Sequence, residues 1–185
     1  MANRYIFQIA LLLCITTALA ESYTLDQSQQ KSSILVCQDL LNQLNGSATD
    51  CLKQRMNSKI PEEIKNPQLL QKEDLVLVTY ELFQQIFGIF SRNFSRTSWN
   101  ETIVEKLLME LYQQKNQLKT TVEEIIKETN DIWGNKHILN LKKYYFSLMR
   151  YLKANKYSSC AWIIIKTEII RNFVYLDKLI SYFSN

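Results

Sequence analysis

Apolar residues recur every three or four positions along most of the chain, and this spacing predicts helices. The pattern is clearest in residues 160–183, where one continuous stripe is expected to face a core. That stripe consists of Trp162, Ile165, Ile169, Phe173, Leu176, Ile180 and Phe183. Similar stripes predict four earlier helices, around residues 25–44, 75–89, 104–125 and 138–152. No alternating pattern of useful length predicts a strand, so the chain is predicted to be all-α.

The first two predicted helices are separated by a long irregular stretch. It holds both prolines of the chain, Pro61 and Pro67. Proline lacks a backbone donor and forbids a continuous helix here, whereas the later connections are short. A long first crossover lets the first two helices run parallel, as in growth-hormone and cytokine bundles. The predicted fold is a five-helix up-up-down-down cytokine bundle with a long first crossover loop.

The N-terminus has the pattern of a secretory signal peptide. Arg4 supplies a positive charge, residues 6–13 are apolar apart from Gln8, and residues 18–20 read Ala-Leu-Ala, which suits cleavage. The apolar run is shorter than the roughly 20 residues that span a bilayer. We therefore predict a signal peptide over residues 1–20, a single helical domain over residues 21–185, secretion to the extracellular space and no membrane insertion. The net charge of +4 is mild and no basic block stands out, which argues against a nucleic-acid partner.

Three cysteines remain after the predicted signal: Cys37, Cys51 and Cys160. Secretion passes through an oxidising compartment, so a disulfide is expected, and three cysteines allow three pairings. Cys37 lies on the apolar stripe of the first helix, where a buried thiol is the ordinary arrangement. We therefore predict that Cys51, in the polar crossover, pairs with Cys160 at the start of the last helix.

The chain offers little for catalysis or metal binding. It has a single histidine, His137, and one histidine beside cysteines on separate elements is not a metal-ligand set. A nucleophile pair of Cys37 and His137 is disfavoured, because Cys37 lies on a core stripe. Neither Gly88 nor Gly134 belongs to a glycine-rich phosphate loop. The prediction is a protein that is not an enzyme and needs no cofactor.

Three N-x-S/T sequons begin at Asn45, Asn93 and Asn100, each in a connection or at a helix edge. Three such sites in a chain with a signal peptide favour N-glycosylation.

The last helix has a second face that combines cations with apolar side chains. Its members are Ile163, Lys166, Thr167, Ile170, Arg171 and Val174. Periodicity alone favours an ordinary surface, because scattered apolar side chains are common there. A basic amphipathic protein that acts directly on membranes is a rival from another class.

The chain resembles the type I interferon family over essentially its whole length. The most specific segment is CAW at residues 160–162 followed by KTEIIRNF, which is similar to the family's CAW…R.EI.R.F pattern. Supporting segments are LNQLNG, CLKQRMN, IPEEIK and WNETIVE. Within the family, the sequon at Asn100 and the unpaired Cys37 resemble the beta branch more than the alpha branch.

The resemblance implies a cytokine that bridges two different receptor chains and so starts kinase-coupled antiviral and antiproliferative signalling. It also implies the same Cys51–Cys160 disulfide, and we expect a monomer whose partner is the two-chain type I interferon receptor. The positions that match the family's contacts with the high-affinity chain are Leu52, Arg55, Lys166, Thr167, Ile170 and Arg171, with Glu168 nearby. Those that match its contacts with the low-affinity chain are Phe87, Gly88, Arg92, Ile103, Leu108, Tyr112, Lys142 and Lys143. Lys166 stands where the family usually has arginine, and lysine lacks the bidentate fork.

Overall fold

The computed structural model describes residues 27–54, 56–129 and 135–183. Within these ranges it contains five long helices and no strand, so the predicted all-α class is confirmed. The helices are α1 (Gln27–Gln43), α2 (Lys72–Phe90), α3 (Glu101–Thr129), α4 (Lys136–Ala154) and α5 (Ser159–Phe183). The predicted signal peptide, Arg55 and Gly134 lie outside the described residues.

Polar side chains mark where the helices begin. A carboxylate oxygen of Asp74 accepts a hydrogen bond from the backbone N–H of Gln71, which forms a capping box at α2. At α3, the side-chain oxygen of Asn100 accepts from the backbone N–H of Thr102 at 2.9 Å. Asn135 caps α4 in the same manner. Each cap satisfies backbone donors that have no partner within the first helical turn.

Contacts at the two ends of the bundle fix the direction of each helix. Just before α3, Trp99 lies with its ring centroid 5.6 Å from that of Trp162 near the start of α5. The indole Nε1 of Trp99 also donates to the carbonyl of Asn45, just after α1, at 2.9 Å. At the other end, Nδ2 of Asn135 donates to Asp74 at the start of α2 at 2.8 Å. Helices α1, α2 and α4 therefore run in one direction, and α3 and α5 run in the other.

Four of the helices form the central bundle. Both α1 and α2 pack against α3 and α5, and α4 packs on the outside against α2 and α5. In chain order, the four central helices run up, up, down and down. The crossover of residues 44–71 is long enough to return the chain to the same end, which a short turn cannot do.

The crossover is ordered by short helical segments and buried anchors. It contains the 3-10 helices Ala48–Gln54 and Pro67–Leu69 and the single α-helical turn Glu62–Lys65. Ile60 and Ile64 are buried against the bundle, with 3% and 2% of their surface exposed. Burying two such side chains stabilises the attached segment by roughly 1.5–3 kcal/mol each, so the crossover is held in one position beside α5.

The apolar stripe predicted for the last helix lies in the core. Its first six members, Trp162, Ile165, Ile169, Phe173, Leu176 and Ile180, are fully buried. The side chain of Phe183 lies outside the described residues. Cys37 is also buried and unpaired, and burial raises the pKa of its thiol, with Glu110 adding to the effect. The thiol therefore stays protonated and unreactive, as its place on a core stripe predicts.

Candidate functional site

A disulfide joins the crossover to the start of α5. Cys51 and Cys160 are bonded with their Cα atoms 5.4 Å apart and 109 positions apart in sequence, which is the pairing predicted from the sequence. A second contact follows close by, where Oγ of Ser158 donates to the side-chain oxygen of Gln54 at 3.2 Å. These contacts fix the 3-10 helix of the crossover against the first turn of α5.

Lys166 is buried, although the sequence pattern places it on the exposed second face of α5. Only 6% of its surface is exposed. Its Nζ donates to the carbonyl of Leu44 at 2.6 Å and to the carbonyl of Gly46 at 2.9 Å. These carbonyls follow the end of α1, where the last carbonyls of a helix lack partners and a positive charge is favoured. Burial lowers the pKa of Lys166. The side chain thus connects α5 to the C-terminal end of α1.

The chain leaves α1 very close to α5. Gly46 has a φ of +99°, a region that residues with a side chain rarely adopt. A Cβ atom at this position would lie 2.4 Å from Cδ1 of Ile163. Ile163, also expected on the exposed face, is only 7% exposed. The crossover covers this part of α5, and that is why both Ile163 and Lys166 are buried.

Beyond this covered part, the predicted contact residues reach the surface. Leu52 in the crossover is 55% exposed, and Thr167 on α5 is exposed as well. Ile170 is half-buried against the core, and the side chain of Arg171 is 46% exposed. With Arg55 outside the described residues, four of the six predicted positions lie on one side of the molecule, where the crossover meets α5. We call Leu52, Thr167, Ile170 and Arg171 the crossover surface.

Glu168 organises the charged part of this surface. One of its carboxylate oxygens forms an ion pair with Arg171. The same oxygen accepts from Oγ of Ser58 in the crossover at 3.3 Å and lies 3.3 Å from the hydroxyl of Tyr144 on α4. Glu168 is largely buried, with 13% of its side chain exposed. It therefore holds the Arg171 guanidinium in place and ties it to two other elements. Sequence reasoning noted only that Glu168 lies nearby.

A second group of predicted residues lies around the part of α2 that is exposed between α3 and α4, which we call the exposed strip of α2. The rings of Phe87 on α2 and Tyr112 on α3 lie 6.4 Å apart. Nζ of Lys115 lies 5.6 Å from the first ring centroid and 5.4 Å from the second. On the opposite side of the strip, the guanidinium of Arg92 donates to the sulfur of Met149 on α4 at 3.2 Å. We call this region the α2 surface; Lys115 is a member that sequence reasoning missed.

The remaining residues of this group differ in how far they reach solvent. Nζ of Lys142 lies 3.8 Å from Glu81, at the edge of an open cleft of about 320 Å³ between α2, α3 and α4. Gly88 leaves this part of α2 without a side chain, and apart from its chain neighbours and the backbone of its own helix no atom lies within 4 Å of where its Cβ would be. Ile103 and Leu108 are half-buried against the core, and Lys143 is exposed.

A family profile for the interferon alpha/beta domain matches residues 26–183. The chain belongs to the interferon alpha/beta family. Interferon beta of Felis catus is 53% identical to it over 186 residues, and the match covers 100% of both chains. Interferon beta of Homo sapiens is 51% identical over 187 residues, again covering 100% of both. The predicted membership of the type I interferon family is therefore confirmed.

Solved structures support the fold separately. Zebrafish interferon 1 superposes with a TM-score of 0.70 at 17% identity, covering 84% of this chain and 96% of that one. At this identity the match bears on the fold alone. Since interferons are cytokines, the chain is a type I interferon cytokine, and the prediction that it is not an enzyme is confirmed. No group of three metal-ligating side chains converges, and no helix is long and apolar enough to cross a membrane, within the ranges that the structure describes.

The three sequons of this interferon lie at one end of the bundle. Asn45, Asn93 and Asn100 are all exposed. The backbone of Asn45 contacts Trp99, the residue before Asn100, while Asn93 lies in the same α2–α3 connection. Glycans at these positions remain a prediction; all three would extend from the end of the bundle that also carries the disulfide.

Proposed function

We propose that this interferon is secreted and brings two receptor chains together, the event that starts kinase-coupled antiviral and antiproliferative signalling. The observation that carries the proposal is the presence of two separate exposed surfaces on one helical bundle. The crossover surface lies where the crossover meets α5, and the α2 surface lies between α3 and α4. Two partners can therefore bind at once without competing for the same residues.

The crossover surface is proposed to bind the high-affinity receptor chain. Its support is the set of contacts that hold the surface in shape before any partner arrives, since pre-organisation lowers the entropic cost of binding. Arg171 is restrained by Glu168 and lies beside the exposed side chain of Thr167. Arg55 is included on the resemblance alone. Lys166 is proposed as a positioning residue, because its ammonium group already donates hydrogen bonds to the two carbonyls after α1.

Substitution of Arg171 tests this assignment. Arg171→Ala is expected to weaken binding to the high-affinity chain by at least about tenfold, as arginines are frequent hot spots of interfaces. Lys127→Ala is the matched control, because Lys127 is an exposed cation at the far end of α3. Surface plasmon resonance measures both variants, and circular dichroism checks their folding. Equal affinity of Arg171→Ala and the control would rule out this surface.

The α2 surface is proposed to bind the low-affinity chain. Tyr112 offers a ring that is 50% exposed beside Phe87 and Lys115, and aromatic side chains dominate many interface energies. Tyr112→Ala is expected to lower interferon-responsive reporter transcription while leaving high-affinity binding unchanged. Tyr182→Ala removes a similarly exposed ring from the end of α5 and serves as the control. If both variants signal like the wild type, the α2 surface is not the second site.

Further experiments test the proposal as a whole. An antibody that blocks the type I receptor should abolish the reporter response, whereas a membrane-active protein would act without a receptor and cause liposome leakage. Treatment of the secreted protein with N-glycosidase should increase its gel mobility if any of Asn45, Asn93 and Asn100 carries a glycan. A single species of monomer mass in sedimentation would support the expected monomer.

A further inference from the structure

Positive charge is concentrated in α4 and the segments next to it. Residues 132–167 contain seven lysines and arginines and no aspartate or glutamate. The whole chain has a net charge of only +4, so the remainder of the chain is net negative. The charge does not form a block in the sequence, because its members are spread over more than thirty positions. Only the helix brings some of them into line.

Three of these cations share one line along the outside of α4. Lys136, Lys143 and Arg150 are spaced seven residues apart and are all exposed. A seven-residue step is nearly two helical turns, so the three side chains follow the helix axis at intervals of about 10 Å. Leu139 and Phe146 form a parallel apolar line on the same exposed side, with 47% and 57% of their surfaces exposed.

Lys153 follows Phe146 by seven residues, so it lies in line with Leu139 and Phe146 and adds a fourth exposed cation. The resulting face of α4 is about 25 Å long. We call Lys136, Leu139, Lys143, Phe146, Arg150 and Lys153 the outer α4 face.

These cations are not neutralised by the protein. In the described part of the chain, no carboxylate forms an ion pair with any of the four. Two acids, Glu62 and Glu63, line a cavity with Lys143, but both already have other partners. Glu62 pairs with Lys65 at 2.6 Å, and Glu63 accepts a hydrogen bond from Asn140 at 2.8 Å. A row of uncompensated charge on an exposed helix creates a positive potential that attracts an anionic partner.

We propose that the outer α4 face binds a linear sulfated polysaccharide. The regular line of cations matches a polymer that repeats its charge along one axis, and arginine in particular suits oxyanion groups. The exposed side chains of Leu139 and Phe146 can pack against the apolar faces of sugar rings. The disulfide between Cys51 and Cys160 is typical of proteins outside the cell, where polyanions of this class are found. This surface goes beyond the proposed receptor function and does not depend on it.

Immobilised heparin is the probe for this proposal. The triple variant Lys136→Ser, Arg150→Ser and Lys153→Ser removes three cations and leaves Lys143 in place. Its affinity for heparin is expected to fall about tenfold, because each exposed charge pair contributes a modest amount that adds over the row. Wild-type binding should weaken steeply as sodium chloride is raised, since salt screens exposed charges. Circular dichroism checks that the variant is folded.

A matched control separates position from total charge. Lys106→Ser, Lys119→Ser and Lys127→Ser remove the same charge from exposed positions on α3, and this variant should bind heparin within about twofold of the wild type. An equal loss in both variants, or no loss in either, overturns the proposal. Binding to unsulfated hyaluronan, to a DNA duplex or to phosphatidylserine vesicles that equals or exceeds binding to heparin overturns it too. Because no receptor is present, failure here is distinct from failure of the receptor proposal.

Discussion

Replacing Lys166 by methionine tests whether this residue acts through the fold. Methionine keeps the length of the side chain but removes the ammonium group that donates to the carbonyls of Leu44 and Gly46 at 2.6 and 2.9 Å. The hydrogen bond to the carbonyl of Leu44 is buried. In the variant, no water reaches this carbonyl to replace the lost donor. The carbonyl of Gly46 is only partly buried and can turn to water.

The expected loss follows from these two environments. Leaving one buried acceptor without a partner costs about 1–3 kcal/mol, and a charged donor lies toward the upper end. The variant recovers part of this, because it no longer buries a charge, a cost that appears in the lowered pKa of Lys166. We expect a net loss of about 2 kcal/mol in the free energy of unfolding. For a domain of this size, this corresponds to a fall in Tm of about 4–8 °C.

Thermal and urea unfolding followed by circular dichroism measure the change. Lys127→Met provides the control, because Lys127 is exposed and a surface substitution typically changes stability by less than about 0.5 kcal/mol. Hydrogen exchange should locate the loss in the amides that follow α1. If Lys166→Met and Lys127→Met have the same stability, Lys166 does not hold the end of α1 and the reasoning fails.

Three further predictions concern single positions. Gly46→Ala should destabilise the protein by more than about 2 kcal/mol, because a side chain is strained at φ +99° and would also clash with Ile163; unchanged thermal unfolding would contradict this. Gly88→Ala should instead stabilise α2 by about 1 kcal/mol, since a Cβ there meets open space, and a lowered Tm would be the wrong sign. Burial alone would raise the pKa of Glu63, but the hydrogen bond from Asn140 helps to hold this pKa below its usual 4.5. Ionised Glu63 therefore stabilises the fold above pH 4.5, and this contribution is lost as the pH falls through the lower pKa of the folded state. The stability advantage of the wild type over Glu63→Gln should therefore shrink during acid titration, and an advantage that stays constant down to acid unfolding would refute it.

Local pattern was sufficient for the helices and for much of the core. The stripe from Trp162 to Ile180 is buried as predicted, because a period of 3.6 residues fixes which side chains share a face. The same local reasoning separated Cys37, on a core stripe, from Cys51 and Cys160, which form the disulfide. These features depend on residues close together in sequence or on a simple choice among few partners.

Which parts of each surface are free was decided only by the tertiary structure. Helical periodicity gives the position of a side chain around the helix axis. It does not say which other segment packs over that face of the helix. On α5 the chain leaving α1 covers Ile163 and Lys166 and leaves Arg171 exposed. Glu168 gained its role in the same way, from Ser58 and Tyr144, which are far from it in sequence.

The outer α4 face illustrates both contributions. The sequence by itself determined that residues 132–167 carry cations and no carboxylates, and the helical period determined that three of them align. Because α4 packs outside the four-helix bundle, the cations on its far side stay exposed, and none of them pairs with a carboxylate within the ranges that the structure describes. Composition and periodicity therefore set what a helix can offer, while contacts between distant segments decide which of its faces a partner can reach.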